Sequence, residues 1–212
     1  MAVKIGLIGC GAIGAEIAGA LDRGMMDATL VAVCDHNPET ASALMERLEH
    51  KPVKARLEEL VGLADVVVEA ASQRAVPSIA RESLSRGKSL LIMSVGALAD
   101  RDLFAEVKRL AGDSGAKVYL PSGAISGLDG LKSARIGGLS RITLTTTKNP
   151  RGLHGAPYIL EKGIDLSALT GPTLIFQGSA LDAVKAFPAN VNVAATLFLA
   201  AGESDVQVKV VA

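Results

Sequence analysis

Short apolar runs alternate with amphipathic stretches along the first half of the chain. Residues 3–8, 29–34, 66–69, 89–93 and 117–120 are dominated by Val, Ile, Leu and Ala. Such runs, flanked by turn residues, predict buried strands. Between them, 12–23, 38–49, 74–85 and 101–110 space their apolar residues at helical intervals. Asn37 followed by Pro38 marks a helix start, with Asn37 as cap and Pro38 in the first turn. The segment 54–61 is polar at its start and apolar at its end. Strands alternating with helices predict an α/β fold, a Rossmann doubly wound parallel sheet.

The pattern changes after Pro121. Residues 122–127 are a small-residue loop opening a helix near Leu128. Residues 141–147 alternate and are rich in β-branched side chains. They read as an antiparallel strand with one face toward solvent or a partner. Further strands are predicted at 173–176 and 205–211, and helices at 180–186 and 191–201. The expected organisation is a dinucleotide-binding domain over 1–121 and a smaller α+β domain for substrate and dimerisation over 122–212.

Composition narrows the partners. Twenty-two basic residues balance 22 acidic ones, Trp is absent and aromatics make up 3% of the chain. With no basic run and little to stack on bases, nucleic acid and anionic membranes are not expected partners. The apolar stretches are too short to span a bilayer, and the N-terminus enters a strand without a signal-peptide pattern. Cys10 and Cys34 are expected as small buried residues in a reducing cytoplasm. No metal-ligand spacing and no Gly-x-Ser-x-Gly elbow is present.

The strongest chemical signal is Gly9-Cys10-Gly11-Ala12-Ile13-Gly14, which follows the first strand and opens the first helix. Gly9 permits a tight turn, Gly11 lets backbone approach a pyrophosphate, and Gly14 allows close helix packing. The helix N-terminus offers free N–H groups to phosphate. Asp35 closes the second apolar run, placed to accept hydrogen bonds from adenosine ribose hydroxyls. That carboxylate favours NAD over NADP, although NADP remains possible. Three loops after strands can lie against a flat cofactor: Ala70-Ala71-Ser72, 94–97 and 122–124.

Other candidates are single residues. Glu69, at a strand end, reads as a buried catalytic acid, or else as a residue that caps a helix or accepts from a backbone N–H. His36 neighbours the adenosine end and His50 ends a surface helix. His154 is a weak acid/base candidate in a loop, and Lys148 and Arg151 are candidates to grip substrate carboxylates.

With these residues in view, the chain resembles the L-aspartate dehydrogenase family of archaea and bacteria. The resemblance rests on the glycine motif, Val-Val-Glu-Ala-Ala-Ser at 67–72, Ser-Val-Gly-Ala-Leu at 94–98 and Pro-Ser-Gly-Ala-Ile-Ser-Gly-Leu-Asp at 121–129. It continues through Thr-Thr-Lys-Asn-Pro at 146–150 and Phe-Pro-Ala-Asn-Val-Asn-Val-Ala-Ala-Thr at 187–196. It implies oxidation of L-aspartate to iminoaspartate with NAD or NADP, and a homodimer paired through the second-domain sheet. It also implies cofactor contacts from Ala124 and Asn190; unaided, Asn190 reads as the cap of the following helix. The family's catalytic histidine would follow the strand ending at Ala212. The resemblance therefore implies either a truncated sequence or chemistry lost or moved. Two alternatives stay open: another two-domain nicotinamide enzyme, similar to dihydrodipicolinate reductase or homoserine dehydrogenase, and a non-catalytic NAD-binding regulatory module.

Overall fold

A computed structural model describes residues 2–188, 192–202 and 205–212. The chain divides into two compact units, Met1–Pro121 and Ser122–Ala212. The first contains β1 (Val3–Ile8), α1 (Ala12–Asp22), β2 (Ala28–Cys34), α2 (Pro38–Glu46), β3 (Val53–Lys54) and α3 (Leu57–Leu63). It continues with β4 (Val66–Glu69), α4 (Val76–Ser85), β5 (Ser89–Ile92), α5 (Arg101–Ser114) and β6 (Val118–Tyr119). All six strands are parallel, in the order β3-β2-β1-β4-β5-β6. This is a Rossmann-type doubly wound sheet. Chain order reverses between β1 and β4, so a crevice opens beyond their carboxyl ends.

The central strands are apolar because helices cover both faces. Leu7, Val33, Val67, Leu90 and Ile92 are fully buried, as are Leu60 and Leu84 on the covering helices. Asn37 caps α2 as its sequence position predicts, its side chain accepting the Glu39 N–H at 2.9 Å. That helix stops at Glu46, short of the 49 that periodicity suggests. Side chains beyond the apolar pattern take the backbone away from the helical path. Asp22 accepts the N–H groups of Glu49 and His50, each at 2.8 Å. Lys51 donates to the carbonyls of Met45, Glu46 and Leu48. The 54–61 segment splits between the edge strand β3 and α3.

The second unit holds α6 (Leu128–Ile136), β7 (Ile142–Thr147), α7 (Pro157–Lys162), β8 (Leu174–Ser179), α8 (Ala180–Ala186), α9 (Asn192–Ala201) and β9 (Val206–Val211). Its sheet runs β7-β9-β8. β8 is antiparallel to β9, but β7 is parallel to it, from Ile142 opposite Val206 to Thr147 opposite Val211. The antiparallel reading of 141–147 is therefore corrected. Alternation reports one covered face; it says nothing about direction, which the long return through β8 and the helices decides. Val206, Val208 and Val210 point into the core, where Tyr158, Phe176 and Phe187 meet with ring centroids 5.2–5.6 Å apart. This unit is the smaller α+β part of the fold.

Candidate functional site

The glycine turn is built from contacts that exclude side chains. Gly9 has φ 96°, a conformation that favours glycine, and a Cβ there would lie 2.4 Å from the Ala70 carbonyl oxygen. At Gly14 a Cβ would lie 1.9 Å from the Gly9 carbonyl oxygen, so the helix packs on the turn itself. Gly11 differs: a Cβ would meet nothing within 4 Å, leaving open space above the turn. Gly11 is also the N-cap of α1 and has no side chain to cap it, so N–H groups of the first turn stay free for an anion. Ala12 and Ile13 are exposed on that turn, whereas Gly14 is buried.

Asp35 ties this turn to the end of β2. Its Oδ2 accepts the Cys10 N–H at 2.7 Å and its Oδ1 accepts the Asn37 N–H at 2.9 Å. The His36 ring nitrogen Nδ1 lies 3.0 Å from Oδ1, with the His36 side chain almost wholly exposed. A cleft of about 570 Å³ runs over these residues. It is lined by Gly9, Gly11, Asp35 and His36 on one side and by Ala70, Ala71 and Ser72 on the other. Open space above Gly11, free helix N–H groups and a carboxylate at the strand end fit a dinucleotide. Thr40 and Leu57 also line the cleft; neither carries a sequence signal.

Cys10 turns away from the cleft into the core beside Leu7 and Val33. Burial, reinforced by the Asp35 charge, pushes its thiol up to about 12. Cys34 is only half-buried, which corrects the expectation of two buried cysteines; it completes a strand whose end borders the cleft. Both are free thiols.

Glu69 is fully buried at the end of β4. Its Oε1 accepts the Ala71 N–H at 2.9 Å and the Ser94 hydroxyl at 2.8 Å, and its Oε2 accepts the Ser94 N–H at 2.9 Å. Of the readings its sequence position allowed, the geometry matches the partner of backbone N–H groups. Sequence reasoning missed Ser94 as that partner, because the two residues lie 25 positions apart.

The second unit has its own pocket, of about 240 Å³. Ala124 and Ile125 line it together with Thr145 and Thr146 of β7, Phe187, and Val193 of α9. Lys148 is the cation among its described lining residues. Arg151 and His154 do not line this pocket. Arg151 is exposed on the 3-10 turn Pro150–Leu153, which Asn149 caps. His154 is exposed just beyond that turn. Asp165 is held below the usual carboxylate range, chiefly by the Ser167 hydroxyl and amide and in small part by His154. Asn190, expected beside Ala124, lies outside the described residues. Among the described residues no cluster of His, Cys, Asp and Glu is suited to a metal ion, and no helix is long and apolar enough to cross a membrane.

Comparisons with known proteins follow the same division. Residues 9–121 match the family model "Homoserine dehydrogenase, NAD binding domain", and 129–212 match "Aspartate dehydrogenase, C-terminal". A curated L-aspartate dehydrogenase of Methanosarcina mazei is 50% identical over 199 residues, which span 93% of this chain and 73% of that protein. That of Methanosarcina acetivorans is 48% identical over 212 residues, 99% of this chain and 78% of that protein. The crystal structure of aspartate dehydrogenase from Thermotoga maritima superposes with a TM-score of 0.74 at 27% identity, covering 100% of this chain and 79% of that one.

Proposed function

Since the chain belongs to the L-aspartate dehydrogenase family, we propose that it oxidises L-aspartate to iminoaspartate with a nicotinamide dinucleotide, NAD in preference to NADP. The observation that carries this reading is the pairing, within one family member, of a glycine-turn cleft with a pocket that presents one lysine. In the cleft, the glycine turn from Gly9 to Gly14 and the free N–H groups of α1 receive the pyrophosphate, and Asp35 accepts from the adenosine ribose. Ala70, Ala71 and Ser72 form the opposite wall, and membership of the family supports Ala124 and Asn190 as further cofactor contacts. When bound, the nicotinamide accepts the hydride that leaves the aspartate Cα.

In the second unit, Lys148 holds a substrate carboxylate. The rest of that pocket is apolar or hydroxyl-bearing, so the ion pair forms partly out of water, where it is strong. The exposed Arg151 offers a second carboxylate contact of lower weight, and His154 stays a weak acid/base candidate. The two free thiols support work in a reducing compartment such as the cytoplasm, and the edge of β7, uncovered among the described residues, supports a homodimer.

The test is aspartate-dependent formation of reduced nicotinamide, set beside homoserine and other amino acids as substrates. Lys148→Ala is expected to raise the KM for aspartate by about 10–100-fold, the range for losing a hydrogen bond to a charged group, with NAD affinity unchanged. Turnover of homoserine but not aspartate would overturn the assignment.

A further inference from the structure

Glu69 is a carboxylate with no access to solvent, and every bonded partner around it is a donor. No lysine, arginine or histidine among the described residues pairs with it. A buried acid without a countercharge is costly, and the three donors only partly offset that cost. Packing does not require it either, since an apolar residue would fill the end of β4. The group also joins two loops: Ala71 follows β4 and lines the cleft, whereas Ser94 follows β5.

Its position in the sheet indicates what the charge is for. β4 and β5 lie past the point where strand order reverses, in the half of the sheet away from β2 and β3. A doubly wound sheet holds one mononucleotide over each half, outside the carboxyl ends of the strands. With Asp35 and the glycine turn at the β1–β2 half, the half ending in Glu69 and Ser94 receives the nicotinamide. The oxidised nicotinamide ring carries a positive charge and the reduced ring carries none. A carboxylate bonded to donors and without a countercharge, at the end of β4 in that half of the sheet, therefore acts on one redox form alone.

We propose that Glu69 is a positioning residue whose buried charge makes the site prefer the oxidised over the reduced cofactor, while its hydrogen bonds hold the loops at Ala71 and Ser94 in place. This rests on the nicotinamide reading above. At an effective dielectric of about 20–60, one charge acting across about 8 Å changes affinity about three- to thirtyfold. The site thus holds the oxidised form, which accepts the hydride, more tightly than the reduced form that the reaction leaves behind.

The experiment is direct titration of NAD+ and NADH into the wild-type chain, E69Q, E69D and S94A, monitored by calorimetry or protein fluorescence. E69Q is expected to lower the preference for NAD+ over NADH by about three- to thirtyfold. E69D keeps the charge, and S94A keeps it while removing one hydroxyl bond. Both are expected to bind each cofactor more weakly and to retain the wild-type ratio. A purely structural clamp predicts the opposite for E69Q: equal losses for both forms and an unchanged ratio. That result overturns the proposal, as does a ratio in S94A or E69D that moves as far as three- to thirtyfold. Because glutamine sets an amide donor against an N–H in either orientation, E69Q could fail to fold alone. The concentrations of NAD+ and NADH that restore its far-UV dichroism then give the same ratio, and if neither cofactor restores it the charge-free E69A and E69L are titrated in its place, with the same two outcomes. A wild-type chain that binds neither cofactor refutes the nicotinamide reading itself, which separates that failure from a failure of the Glu69 proposal.

Discussion

Both oxygens of Asp35 are engaged by the protein, one by the Cys10 N–H and the other by the Asn37 N–H. Each carboxylate oxygen has a second lone pair, so the ribose hydroxyls can still be accepted. The side chain therefore acts in two ways, as a tie between the glycine turn and β2 and as a ligand. Asp35→Ala is expected to weaken NAD by about 1–3 kcal/mol. NADP is expected to lose less, because its 2′-phosphate no longer meets a carboxylate, while the damage to the turn falls on both. Titrating both cofactors into both proteins measures the difference, and equal losses would leave only the structural tie. At this scale proximity in sequence misleads as often as it helps. Lys148, Arg151 and His154 lie within seven positions, yet only Lys148 lines the pocket.

Helix ends in the first unit depend on particular caps. Asp100 accepts the N–H groups of Asp102 at 2.9 Å and Leu103 at 3.1 Å, closing the start of α5, and Gly115 ends that helix with φ 72°. Asp100→Ala is expected to cost about 1 kcal/mol in chemical denaturation, with cofactor affinity unchanged. Elements of this kind were legible in the chain because their signals are local. β1 and β4 are apolar runs bounded by turns, α2 opens on Asn37-Pro38, and the glycine turn and Asp35 occur in register. What stayed hidden depends on distant partners. β3 is two residues long and exists because β2 pairs with it. α7 is only six residues, held by the packing of Ile159 and Tyr158 rather than by periodicity. The direction of β7 is set by where β9 returns, and the Glu69–Ser94 pair is set by the spacing of β4 and β5.

At the scale of the whole molecule, the three-stranded sheet leaves both its edges, β7 and β8, without a further strand among the described residues. Thr143, Thr145 and Thr147 are exposed along β7, and Ile136 at the end of α6 is almost fully exposed. An uncovered strand edge and exposed apolar surface are each what a second copy would cover. Light scattering at micromolar concentration is expected to give about twice the 21.8 kDa of one chain. Only the single-chain mass under those conditions would refute a dimer.

The three glycines of the turn do not tolerate change equally, and the difference has a practical use. Positions 9 and 14 are closed to other residues by backbone oxygens, so substitution there confounds folding with binding. Position 11 is closed only by the ligand it awaits. Its φ of −70° is ordinary for alanine, and a methyl group would enter space that nothing in the protein occupies. Gly11→Ala is therefore expected to melt within about 1 kcal/mol of the wild type, the usual glycine–alanine difference, yet to bind dinucleotide poorly. Thermal melts beside cofactor titration check both halves of that expectation. Such a variant would be an empty-handed twin of the enzyme, folded and assembled but unable to take cofactor. In a cell, whatever still worked with the twin in place would belong to the protein as a body rather than to its chemistry.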